Sequence, residues 1–179
     1  MRYPAKETAA RHERIVKEAS RLFRERGFEN VTVAEVMKAA GLTHGAFYAH
    51  FGSKQELEAA AVAYGQRVSA DRARGYGATK RGRRTFADHY LSVRHRDNPG
   101  DGCTMAALAQ EVARSTPEVK AALEKGFEEI LSAQGGTAGN PFFRQPLCSV
   151  VLCWLAPCKM CNSQRRFSRV FDRTSVEGR

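Results

Sequence analysis

The stretch from Val31 to Lys54, VTVAEVMKAAGLTHGAFYAHFGSK, constrains this 179-residue chain more than any other. Thr32 followed three residues later by Glu35 is a capping-box pattern, which starts a helix at about Val33. Val33, Val36, Met37 and Ala40 then recur at three- and four-residue spacing, so one face of that helix is apolar. Gly41 stops it, because glycine takes positive φ at no steric cost. Leu42 turns inward, and the Thr43 hydroxyl is expected to cap a second helix over about His44–Phe51. Phe47 and Phe51, four apart, form its inner side. His44, Gly45, Ala46, Tyr48, Ala49 and His50 remain, and all are small or hydrogen-bonding. A helix held by two aromatics, with a slim polar outer face, suits insertion into a DNA major groove.

At these residues the chain resembles the TetR family of bacterial transcriptional regulators. The resemblance covers roughly residues 11–70. It rests on IVKEASRLFRERGFENVTV, the T-x-x-E cap, G-L-T at the turn, F-Y-x-H-F, and the trailing FGSKQEL. An ordinary capped three-helix bundle explains the apolar periodicity equally well, but it does not explain an outward Tyr48 and His50 with Lys54 beyond them. The resemblance implies an all-α fold. An N-terminal DNA-binding head (8–54) precedes a helical ligand-sensing and dimerisation domain (55–133). It also implies site roles. Thr32 and Thr43 sit at helix N-termini that meet phosphate. Tyr48, His50 and Lys54 fall on positions that bind backbone phosphates, and His44, Gly45 and Ala46 on positions that approach base edges. Ala49 stands where relatives often carry a larger aromatic. The implied function is a ligand-responsive repressor that binds a palindromic duplex operator as a homodimer and releases it to a small-molecule effector.

Composition agrees with a polyanion partner: the net charge is +10 and the pI near 9.7. That charge is uneven. Residues 1–131 carry 22 basic and 17 acidic side chains, and residues 132–179 carry 7 and 2. No signal peptide is legible, since the charged N-terminus lacks an apolar core. The apolar run Leu147–Pro157 is too short for a span of about 20 residues. A cytoplasmic protein without a membrane segment is the expectation.

Elsewhere the chain reads as helix. Thr8–Arg26 buries Ile15, Ala19, Leu22 and Phe23, with Arg14, Lys17, Arg21 and Arg24 around the other side. Phe28 and Val31 fold back beneath the turn. Ser53 starts a long helix through Leu57, Ala61 and Tyr64 toward Arg72. Asp71–Arg84, with three glycines and six Lys/Arg, reads first as a loop and second as an auxiliary phosphate patch. Helices follow over Phe86–Arg96, over Cys103–Ser115, and from Pro117 onward, where Val119, Leu123, Phe127, Ile130 and Leu131 point inward. Phe86, Tyr90, Met105 and Leu108 serve as core or as pocket lining.

From Gln134 the helical grammar fails. Residues 134–179 mix three prolines, four cysteines and the only tryptophan, where the resemblance calls for two long interface helices. The tail reads as out of frame, through a frameshift or a sequencing error. Cys148, Cys153, Cys158 and Cys161 offer an alternative, a cysteine-based metal- or redox-sensing regulator, but one C-x-x-C without a partner knuckle is a weak ligand pattern. No GxSxG elbow, phosphate loop, dinucleotide fingerprint or HExxH occurs, so an enzyme is not indicated, and no cofactor is implied.

Overall fold

A computed structural model describes residues 5–133, and the cysteines at 148–161 and the rest of the atypical tail lie outside those residues. Among the described residues every regular element is helical. The order is α1 (Ala5–Arg26), α2 (Val33–Ala39), a 3₁₀ segment (His44–Ala49), α3 (Lys54–Tyr76), α4 (Lys80–Tyr90), α5 (Val93–Asp97), a 3₁₀ turn (Pro99–Asp101), α6 (Thr104–Val112) and α7 (Pro117–Ala133).

Two packings organise the chain. The first is α3 against α7, and the second is α1 against α3. The apolar stripe of α1 is fully committed: Ile15, Val16, Ala19, Leu22 and Phe23 are buried. Phe28 and Val31 do fold back, and Phe28 meets Phe23 edge-on at 5.2 Å between ring centres. Val36 and Met37 of α2 close the head. Leu108 and Val112 of α6, with Val119 and Leu123 of α7, belong to the same cluster of buried side chains as Phe28 and Val36. The interior therefore runs without a break from the head into the C-terminal helices. A buried side chain of this size stabilises the fold by about 1.5–3 kcal/mol, so displacing either part exposes a shared core.

Four expectations are corrected here. Asp71–Arg84 is not a loop, because α3 continues to Tyr76 and α4 starts at Lys80. Its glycines do different work. Gly77, at φ +71, ends α3, and Gly82 passes so close to the carbonyls of Tyr76 and Gly77 that a Cβ would overlap them. Thr79 caps α4 by accepting from the Gly82 N–H at 3.0 Å. Second, Phe86–Arg96 is not one helix. The chain breaks at Leu91–Ser92, and the Ser92 hydroxyl accepts the His95 N–H at 3.1 Å to start α5. Third, the Cys103–Ser115 helix is shorter than expected, α6 ending at Val112. Fourth, Arg24 does not lie on the solvent side of α1. Its guanidinium donates to the Gly100 carbonyl at 3.0 Å and to Ser20 Oγ at 2.5 Å. Burial lowers its pKa, against nearby Asp101. Arg24 thus ties α1 to the 3₁₀ turn before α6.

Candidate nucleic-acid interface

The head is built outward from its caps. Thr32 Oγ1 accepts the Glu35 N–H at 3.2 Å, and Glu35 Oε2 accepts from the Thr32 N–H and hydroxyl, each at 2.8 Å. Arg26 reaches the other carboxylate oxygen at 2.9 Å. These donors, the Thr32 backbone first, hold the pKa of the Glu35 carboxyl down to about 2. The capping box is therefore real, and it occupies the Thr32 hydroxyl. Gly41 has the expected positive φ, +70.

The segment that follows differs from the expected α-helix. His44–Ala49 is a 3₁₀ helix, and Thr43 stands at its N-cap without a side-chain cap bond. The reason is local. A run of six residues containing Gly45 is too short, and too poor in helix formers, to hold i→i+4 geometry by propensity. Its conformation is set instead by packing. Phe47 and Phe51 are buried and stack at 5.7 Å. The Thr43 hydroxyl is left for another acceptor or donor.

The side chains then sort by exposure. Thr43, His44, Gly45 and Ala49 are exposed, and Tyr48 stands 70% exposed with its ring edge-on to His44 at 6.2 Å. Ala46 and His50 are half-buried, Ala46 packing on the core cluster. His50 lies 5.9 Å from His12 of α1, whose ring stacks on Phe51 at 4.7 Å. Burial, then the charges of His12 and Arg11, lower the His50 pKa below its ordinary 6.5.

Lys54 is placed differently from a free surface cation. It opens α3, with Ser53 as N-cap. Its Nζ donates to the Phe28 carbonyl at 2.6 Å and lies 4.0 Å from Glu58, which is buried. His12 was not legible as a functional neighbour in the sequence. The available signal was its spacing, three before Ile15 and four before Val16, which puts it beside the buried stripe of α1 although it is itself exposed.

Two short helical elements, a glycine-stopped turn and an outward Tyr48–His44 face define a helix-turn-helix DNA-binding domain. Comparison with known proteins finds matches to this head. Residues 15–61 match the model of bacterial regulatory proteins, tetR family. Over 52 residues the chain is 44% identical to the HTH-type transcriptional regulator YerO of Bacillus subtilis, covering 29% of this chain and 18% of that protein. It is 43% identical over 53 residues to the HTH-type transcriptional regulator TtgR of Pseudomonas putida, covering 30% and 24%. Residues 15–61 are thus similar to the DNA-binding domain of TetR-family regulators. The matches span only about a fifth to a quarter of these relatives.

Among the described residues no helix is long and apolar enough to cross a membrane, and no group of His, Cys, Asp and Glu is arranged to hold a metal ion.

Proposed function

We propose that this protein is a cytoplasmic transcriptional regulator that represses by binding a palindromic operator as a homodimer and releases it to a small-molecule effector. The observation that carries the reading is the exposed face of the 3₁₀ segment, anchored by buried Phe47 and Phe51. In this proposal His44, Gly45 and Ala46 approach base edges. Thr43, Tyr48, His50 and Lys54 bind phosphates. Thr32 joins them only by giving up its hydroxyl bond to Glu35. Two such segments in a dimer would sit about 34–36 Å apart, one helical turn of duplex.

The effector part of the reading rests on the resemblance, since the cleft between α1, α3 and α7, bordered by Val16, Ala60, Tyr64, Arg67, Ala122 and Lys125, is half open to solvent. Phe86, Tyr90, Met105 and Leu108 do not border it, and Leu108 is core.

The test is selection of duplexes from a randomised pool by the full chain, with its mass measured by light scattering. An inverted repeat enriched by a two-chain species is the expected result. Failure to enrich any sequence overturns the reading. On the selected duplex, Lys54→Ala should weaken all sequences alike and flatten the log K against log salt slope by about one unit.

A further inference from the structure

Phe28 is gripped from two directions. Its N–H donates to Glu111 Oε2 of α6 at 2.6 Å, across 83 residues of sequence. Its carbonyl accepts from Lys54 Nζ of α3, also at 2.6 Å. The Glu111 carboxylate reaches that N–H because Gly27 has no side chain: a Cβ there would fall 2.5 Å from Glu111 Oε1, and φ at Gly27 is +81. The corner between α1 and α2 is thus cut away to admit an acid from the C-terminal helices.

From this geometry we infer that Glu111 is a positioning residue for DNA binding, acting from α6 through Phe28 on Lys54. The inference rests on the DNA-binding reading above. Glu111 touches no part of the exposed face. It fixes the backbone to which Lys54 is anchored, so a shift of α6 reaches a phosphate-binding ammonium through one residue. α6 is well placed to carry such a shift, since Leu108 and Val112 are buried between α1, α3 and α7. Lys54 is also shared. Its ammonium lies between the Phe28 carbonyl and Glu58, and a DNA phosphate competes with both.

The experiment compares wild type, Glu111→Gln, Glu111→Asp and Glu111→Ala on the duplex that the wild-type chain selects, each with Lys54 and with Lys54→Ala. Glu111→Gln keeps an oxygen acceptor and should stay within about threefold of wild type. Glu111→Ala should lose about tenfold, the scale of a charge-assisted hydrogen bond. Glu111→Asp, with its carboxylate drawn back by one methylene, should fall between, and it keeps the question open to measurement if the alanine variant does not fold. In the Lys54→Ala background these losses should largely vanish, because their route is gone. Equal losses in both backgrounds would assign Glu111 a merely structural role and overturn the inference. Wild-type affinity in both Glu111→Asp and Glu111→Ala would overturn it as well. If the wild-type chain selects no duplex, the DNA-binding reading itself has failed.

Discussion

Gly126 sits in the middle of α7, where alanine would ordinarily be the better residue by about 1 kcal/mol. The crossing with α3 reverses that preference. A Cβ at position 126 would overlap the Cβ of Gln66 and lie 2.7 Å from its Cγ, well inside the roughly 3.5–4.0 Å at which carbon atoms attract. Gln66 is fully buried and cannot swing away freely, because its Nε2 donates to the Leu123 carbonyl at 3.1 Å. The Gln66 Cβ is fixed to the backbone, so Gly126→Ala must part the helices, at about 1–3 kcal/mol for overpacking. After the helix-propensity gain the expected net loss is up to about 2 kcal/mol. For a folded region of this size that lowers Tm by up to about 6–10 °C, read by circular dichroism at the helical minimum. Gly75 supplies the control: it is also helical, with nothing within 4 Å of its Cβ position, so Gly75→Ala should raise Tm slightly. In a Gln66→Gly background, which removes the overlapping Cβ as well, Gly126→Ala should become neutral or stabilising. An unchanged or raised Tm for Gly126→Ala alone would refute the close-crossing argument.

Two further outcomes follow from charge. His50 has a pKa held below 6.5 by burial, His12 and Arg11, and a nearby phosphate favours its protonated form. Binding then takes up a proton, and affinity for the selected duplex should rise as pH falls from about 7.5 to about 5.5. Its folding contribution has the opposite sense, present above 6.5 and lost on acidification. A His50→Gln variant that keeps the full pH slope would assign that slope elsewhere. Glu58 is 7% exposed, and desolvation raises its carboxyl pKa in spite of Lys54 nearby. The folded state binds this proton more readily than the unfolded chain, so the ionised carboxylate costs stability at neutral pH and the cost fades as pH falls. Glu58→Gln should melt higher than wild type at about pH 7.5 and equally at about pH 4. A lower melt at neutral pH would show that the ion pair with Lys54 outweighs burial.

What the sequence determined by itself was local. The Thr32–Glu35 cap, the stop at Gly41, the buried stripe of α1, Ser53 and Pro117 at helix starts, and the Phe47–Phe51 anchor all depend on neighbours within about four residues, and spacing reports such neighbours directly. The outward Tyr48 was legible for the same reason. The tertiary structure decided the rest. Arg24 and Lys54 look like surface cations in sequence, yet they serve carbonyls at Gly100 and Phe28, 76 and 26 residues away. Gly82 reads as part of a loop, and nothing in the sequence singles out Gly126, but both permit close approach inside helices. The segment His44–Ala49 has an α-like pattern and takes 3₁₀ form, because two buried rings fix it more strongly than six residues of weak propensity do. Nothing in the pattern around Glu111 marks it as Phe28's partner. Long-range hydrogen bonds and helix crossings leave no periodic trace in a chain, and only the folded arrangement shows them.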